Sequence, residues 1–369
     1  MKILQVGKFY PIRGGVEKVM YDLMLGLSER EIHCDMLCAS TENFPETDIV
    51  INQYAKLFVV STQIKVAATM LAPKMISKLR SIANQYDVIH IHHPDPMATL
   101  SLFLAGFKGK VVLHWHSDIL KQKTLLKLYK PLQDWLIKRA DLIVGTSPIY
   151  VKESQFLTKV QEKIAHIPIG VEPLLTDSTK ANLIRGRFAG KKILFALGRL
   201  VEYKGYPFLI EAMKGLDDSY HLLIGGIGPL KEELENQVKA LNLQDKITFL
   251  GFIADEDVPN YFKACDIFCL SSTIKTEAFA IVQIEAMSLG KPVISTRIPG
   301  SGVSWVNEHE VSGLTVPIEN VDDFRNAILR LGENKEFYDR LSKGASERFQ
   351  QNFTLDKMID KTITIYKSL

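Results

Sequence analysis

No apolar run in this chain approaches the ~18–20 residues that a membrane-spanning helix needs, so a reading built on transmembrane segments is excluded. Cysteine is scarce. The four residues are Cys34, Cys38, Cys265 and Cys269, each pair in or beside a strand-like run. None has the CxxC spacing of a zinc site, so they read as small buried hydrophobes in a reducing cytoplasm. A strong charge of one sign is also missing, and a net charge of +3 is too mild to imply nucleic acid. Low-complexity tracts and short-period repeats are absent, and 46% hydrophobic with 24% charged residues argues against disorder. The opening run from Met1 to Lys8 reads as a strand rather than a signal peptide, because Lys8 cuts the apolar stretch short. What remains is a chain of 369 residues, long enough for two ordinary domains.

Its organisation is an α/β rhythm that runs twice. Lys2 to Val6 reads as a strand, followed by a Gly-rich loop and a helix from about Val16, with Val16, Val19, Met20, Leu23, Met24 and Leu27 on one face. Further strands are expected at 34–39, 57–60, 88–92, 110–114 and 142–146. The rhythm restarts with a strand at 191–197 and a helix from about Tyr206, then strands at 221–225, 247–250, 266–270 and 292–295. His166 to Pro173, with prolines flanking a glycine, reads as a hinge. The expectation is two doubly wound Rossmann-like domains, 1–170 and 171–353, facing across a cleft. An amphipathic tail helix, 354–369, would pack back on the first domain.

The densest chemistry lies in Thr276-Glu277-Ala278-Phe279-Ala280-Ile281-Val282-Gln283-Ile284-Glu285-Ala286-Met287, directly after an apolar strand. Two carboxylates on so short an apolar element are too expensive to bury without partners. Apolar spacing predicts a helix from Ala278, with Glu277 just before its start and Glu285 about two turns along. Backbone N–H groups at such a start can receive phosphate. Hydroxyls at both ends with phosphate between describe a nucleotide sugar.

Other loops fit the same ligand. Gly14-Gly15 precedes the first helix, where missing side chains let N–H groups approach a diphosphate, although for a lone Gly-Gly a plain tight turn is the favoured reading; Glu17 complements the helix dipole. Arg199 and Lys204, framed by Gly198 and Gly205, can neutralise the charge of a diphosphate; solvated surface charge is the bland alternative. Gly225, Gly226 and Gly228 open a strand end or form a structural turn. By period 2, His114 and His116 share one side of a strand with Trp115 opposite. His90, His92 and His93 form a second histidine group, whose metal reading is weak because Asp95 is the only nearby carboxylate with obvious access. Asp255-Glu256-Asp257 directly precedes a helix and reads as helix capping rather than a metal motif.

In chain order, Gly14-Gly15-Val16-Glu17, His114-Trp115-His116, Gly198 to Gly205, Gly225-Gly226-Ile227-Gly228-Pro229 and Glu277 to Glu285 resemble the retaining glycosyltransferases of family 4, with the GT-B fold. The resemblance spans essentially the full length and is strongest from Phe195 to Pro317. It implies acceptor binding in the first domain and nucleotide-sugar binding in the second, with no metal and no cofactor beyond the co-substrate. His116, Arg199, Lys204 and Glu277 would be catalytic, with Asp118 a secondary neighbour. Gly14, Gly15, Gly198, Gly226, Gly228, Phe279, Ala280, Ile281, Val282 and Glu285 would bind the donor, Glu285 through the ribose. Relatives often carry glycine where Ala280 stands.

The implied activity is transfer of a hexose, with retention, to a hydroxyl of a glycan or lipid-linked oligosaccharide in surface polysaccharide assembly. GDP-mannose is the first expectation, on the general look of Ile298 to Asn307. The competing readings are a sugar-nucleotide epimerase and a catalytically silent binding partner. Ile119 to Arg139 carries Lys121, Lys123, Lys127, Lys130, Lys138 and Arg139 among Leu, Tyr129 and Trp135. It suits either an ordinary surface helix or peripheral contact with the inner face of the cell membrane.

Overall fold

Runs such as Val111-Val112-Leu113 and Ile193-Leu194-Phe195 are apolar on both faces of a strand, and such strands need cover on both sides. They form two parallel sheets with helices over their faces. The computed structural model describes residues 1–12, 14–41, 44–66, 69–119 and 123–369. It divides into unit 1, Met1–Gly170 with Leu355–Leu369, and unit 2, Val171–Thr354.

Unit 1 runs β1 (Lys2–Tyr10), α1 (Gly15–Glu29), β2 (His33–Ser40), β3 (Thr47–Asn52), β4 (Ala55–Val60) and a short hairpin, β5 (Ile64–Val66) with β6 (Thr69–Leu71). It continues with α2 (Lys74–Ile82), β7 (Val88–His93), α3 (Pro96–Ala105), β8 (Lys110–Trp115), α4 (Lys123–Arg139), β9 (Leu142–Gly145), α5 (Pro148–Lys152) and β10 (Ile164–His166). The sheet order is β10-β9-β8-β7-β1-β2-β4-β3, parallel except for β3 against β4. The winding therefore reverses between β1 and β7, where a doubly wound sheet opens a crevice at its carboxyl ends.

Unit 2 repeats the plan with α6 (Ser178–Arg187), β11 (Lys192–Leu197), α7 (Tyr206–Met213), β12 (Tyr220–Gly225), α8 (Lys231–Ala240), β13 (Ile247–Gly251) and α9 (Val258–Ala264). Then come β14 (Ile267–Leu270), α10 (Ile281–Ser288), β15 (Val293–Arg297), α11 (Val303–Val306), β16 (Gly313–Pro317), α12 (Val321–Glu333) and α13 (Lys335–Asn352). Its order, β13-β12-β11-β14-β15-β16, reverses between β11 and β14. The final helix, α14 (Leu355–Lys367), belongs to unit 1. It lies on α1 so closely that a Cβ on Gly26 would come 2.6 Å from Ile359 Cδ1. Arg30 pairs with Asp356 at 2.6 Å across the same contact. Within unit 2, Val171 N–H donates to the Phe353 carbonyl at 2.9 Å.

Several elements differ from the expectation. β1 runs on to Tyr10 because Gly7 and Lys8, both at positive φ, make an irregularity after which pairing with β2 resumes. β3, the β5–β6 hairpin, β10 and β16 were not foreseen; each is short or at a sheet edge, where apolar alternation is weak. The helix expected from Ala278 begins at Ile281, because Ala280 has φ 60° and breaks the helical path. Ser301 fastens the preceding loop through its hydroxyl bond to the Glu277 carbonyl, and Gly302 N–H bonds the Ala278 carbonyl at 2.9 Å. The free cysteines are all buried, as expected.

Because Ile359 is fully buried against α1, Ile359→Ala leaves a cavity that the tightly apposed helix backbone cannot refill. Urea denaturation of the variant is expected to show a loss of about 2–5 kcal/mol.

Candidate active site

In unit 2 the winding reversal puts two loops side by side, one after β11 and one after β14. Lys204 ends the first and Glu277 lies in the second. Lys204 Nζ donates to Glu277 Oε2 at 2.5 Å, with the two side chains only 12% and 11% exposed. Ser272 Oγ donates to the same carboxylate oxygen at 2.9 Å. Such a pair, nearly dry, holds its geometry because removing either partner leaves the other charge uncompensated. The two residues given separate duties from the sequence are thus one unit. Arg199 is exposed, its Nη2 3.5 Å from the Tyr203 hydroxyl.

The glycines beside them are required by close backbone approach. A Cβ on Gly226 would overlap the Gly198 carbonyl, and one on Gly228 the Leu200 carbonyl. Leu200 N–H bonds the Ile227 carbonyl at 2.9 Å and Leu230 N–H the Leu200 carbonyl at 3.1 Å, so the two loops are zipped together. Tyr206 Oη, donating to the Gly198 carbonyl at 3.1 Å, steadies the same loop. At the start of α10, Phe279 and Ala280 are buried and Ile281 and Val282 half-buried. Glu285 lies half-buried in the second turn of α10. Asp257 stands at the N-cap of α9 but does not cap it; its carboxylate accepts from Lys180 at 2.6 Å instead.

In unit 1, Gly14 is the N-cap of α1 in extended conformation and Gly15 is the first helical residue. Glu17 curls back on this turn, its carboxylate taking backbone N–H groups of Gly14 and of its own residue. That is the acidic half of a capping box, a larger duty than complementing the dipole. Burial pushes its carboxyl above the usual range, against the pull of Lys8. Lys8 is the residue that sequence reasoning passed over; its only signal was that it ended an apolar run. Its Nζ donates to the Pro94 carbonyl at 2.6 Å and burial lowers its pKa, opposed by Asp95 and Glu17. Asp95 is occupied: it accepts from Ala98 N–H at 2.9 Å as the cap of α3 and from Lys8 N–H at 2.5 Å.

Next to this strand end stands a stack of imidazoles. His114 and His116 stack at 4.0 Å, His90 and His92 at 4.7 Å, and His93 lies on Trp115 at 3.8 Å. Burial holds all five rings below the ordinary imidazole pKa, to about 3 for His93 and His114. His116 Nε2 lies 2.9 Å from His92 Nδ1. Ring nitrogens of His90, His92 and His114 lie within 4.8 Å of one another, the reach of a single ion. Near-parallel rings aim their in-plane lone pairs side by side, however, a poor match to converging ligands. Asp118 is tied up by Trp115 Nε1 and Ser154 Oγ, each at 2.8 Å.

Of the basic segment, Lys121 lies outside the described residues. α4 packs through buried Tyr129, Gln133, Leu136 and Ile137 while Lys127, Lys130 and Lys138 are exposed. Among the described residues no helix is long and apolar enough to cross a membrane.

The profile of the glycosyl transferases group 1 matches residues 179–348, and that of glycosyltransferase family 4 matches residues 13–173. An O-antigen chain mannosyltransferase C of Escherichia coli is 32% identical over 373 residues, covering 100% of this chain and 99% of that protein. The D-rhamnosyltransferase WbpZ of Pseudomonas aeruginosa is 31% identical over 96% of this chain and 92% of its own. Among solved structures, Anabaena HepE in complex with UDP superposes with TM-score 0.80 at 22% identity, over 100% of both chains. Both units together thus have the GT-B fold.

Two outcomes are expected. Lys204→Ala should lower kcat on the order of 10²–10³, the scale of losing one preorganised stabiliser, in steady-state assays of donor consumption. Unit 1 should also be acid-sensitive. The five buried rings His90, His92, His93, His114 and His116 stay neutral when folded but take protons when unfolded below pH ~6.5, so each withdraws up to ~1.4 kcal/mol of stability per pH unit as pH falls. Urea melts at pH 7.5 and 5.5 measure this, and equal midpoints would mean the rings are charged in the fold.

Proposed function

Because this chain belongs to the group 1 glycosyltransferases of family 4, we propose that it moves a hexose from a nucleoside-diphosphate sugar to a hydroxyl of a glycan or lipid-linked oligosaccharide, retaining the anomeric configuration. The observation that carries the mechanism is the Lys204–Glu277 pair at the winding reversal of unit 2. Lys204, with Arg199, faces the charge that grows on the departing diphosphate, while Glu277 reads sugar hydroxyls. Glu285 holds the ribose, and backbone N–H groups of Phe279, Ala280 and Ile281 meet the phosphates at the start of α10. In unit 1, Gly14 and Gly15 present the start of α1 to the same kind of anion, and His116 meets the sugar.

The bond from the anomeric carbon to the phosphate oxygen breaks while the bond to the acceptor oxygen forms on the same face. The acceptor proton passes to the leaving phosphate oxygen. Two cations and a helix start carry the negative charge, so the step is proposed to need no metal ion. The donor is proposed to be GDP-mannose in surface polysaccharide assembly; the name of the E. coli O-antigen chain mannosyltransferase supports the sugar and the setting, while that of the P. aeruginosa relative points to D-rhamnose. The exposed lysines of α4 favour an acceptor carried at an anionic membrane surface on the cytoplasmic side. The epimerase reading loses ground, since the relatives that match along the full chain are named as transferases.

The test is a thermal-shift screen in chelator against GDP-, UDP- and dTDP-sugars. A donor at 100 times its dissociation constant should stabilise the protein by ~2.7 kcal/mol, and Glu285→Ala should abolish the shift. Transfer to a polyprenyl-linked mannose acceptor, with the product anomer read by NMR, then separates retention from inversion. Binding without any turnover would favour the silent partner.

A further inference from the structure

A hydrogen-bonded chain inside unit 1 runs from the last helix to His116. The Tyr366 hydroxyl on α14 lies 2.5 Å from His90 Nδ1 and accepts from Gln5 Nε2 at 3.4 Å. Gln5 Oε1 faces His92 Nε2 at 2.5 Å, and His92 Nδ1 faces His116 Nε2 at 2.9 Å. Gln5, His90 and His92 are fully buried, with Tyr366 3% and His116 5% exposed. At the far end, His116 Nδ1 is buried with no partner among the described residues.

The protons in this chain follow from what each atom can do. An amide oxygen only accepts, so the hydrogen on the Gln5–His92 bond belongs to His92 Nε2. A neutral imidazole carries one N–H, which leaves His92 Nδ1 as an acceptor. The hydrogen on the next bond then belongs to His116 Nε2, and the His116 lone pair is on Nδ1. The Gln5 amide turns its nitrogen toward Tyr366 and toward Cys34 Sγ, 3.7 Å away, and in that orientation the hydroxyl accepts from Gln5 and gives its own proton to His90 Nδ1. Burial and the Lys8 ammonium nearby keep the rings neutral, so no second proton blurs the assignment.

We propose that Gln5, oriented by Tyr366 and acting through His92, fixes His116 as the tautomer protonated on Nε2, so that Nδ1 meets the donor sugar as an acceptor for one hydroxyl. Gln5, His92 and Tyr366 are positioning residues. The second half rests on the reading that His116 faces the sugar. A consequence for the reaction is that His116 is not the acid that protonates the departing diphosphate, because its one proton points into the protein.

Protein labelled with ¹⁵N-histidine, studied by long-range ¹H–¹⁵N correlation with His116→Gln for assignment, tests the first half without substrate. The expected wild-type spectrum has His116 Nε2 in the pyrrole-like range and Nδ1 in the pyridine-like range. Gln5→Leu should turn this into a tautomer mixture and lower kcat about ten-fold, the scale of one misdirected buried hydrogen bond. Gln5→Glu, which still accepts from His92, should keep the wild-type pattern even if it melts earlier. A merely structural role would predict the reverse order, since a buried carboxylate disturbs packing more than leucine does. A wild-type His116 protonated on Nδ1, or ring shifts unmoved by Gln5→Leu, would overturn the relay. Adding GDP-mannose should then shift the Nδ1 resonance. The expected tautomer with an Nδ1 resonance unmoved by a donor that binds would overturn the contact with sugar while leaving the relay standing.

Discussion

A parallel sheet wound in both directions can leave room for a ligand only where the winding reverses, and this constraint organises both units. On either side of the reversal the connections leave toward opposite faces, so no helix covers the strand ends there. In unit 2 that position falls between β11 and β14 and receives Lys204, Glu277 and the start of α10. In unit 1 it falls between β1 and β7 and receives Lys8, Asp95 and the start of α1, with His116 on the next strand over. Burying apolar strands and collecting polar groups at one end are consequences of the same topology.

The two units settle their buried polar groups differently. Unit 2 uses opposite charges in contact, Lys204 against Glu277, and adds hydroxyls from Ser272 and Ser301. Unit 1 uses neutral rings stacked on one another and hydrogen bonds that run through Gln5 and Tyr366. A nearly dry charge pair is sensitive to losing either member. A stack of neutral imidazoles is instead exposed to acid, since burial holds each ring below its ordinary pKa.

Much of this was legible in the chain because β-branched runs and helical spacing are local signals. The alternation of strands and helices, the repeat of the whole plan and the placement of the Gly-rich loops could be read directly. The glutamates stood out as costly carboxylates on a short apolar element, but Lys204 and Glu277 are separated by 73 positions, and only the sheet order makes them partners. Ser301 and Tyr366 carried no local signal at all, since their roles come from what folding sets beside them. Lys8 was visible and misjudged, its charge noticed only as an interruption. Apolar spacing misled at Ala278 because it records which side chains are buried and is silent on backbone direction. Asp257 misled for a related reason: a capping residue type says nothing of the lysine that folding brings within reach.

Ala280 sits at φ 60°, a region that costs a residue with a Cβ roughly 1–2 kcal/mol. A glycine there would be comfortable, and comfortable in many other conformations too. The methyl group therefore does two things at once: it strains the folded loop and it thins out the alternatives that the loop explores when empty. A ligand arriving at a loop already confined has less disorder to remove. The chain carries a small, permanent strain in a loop whose shape is largely set in advance.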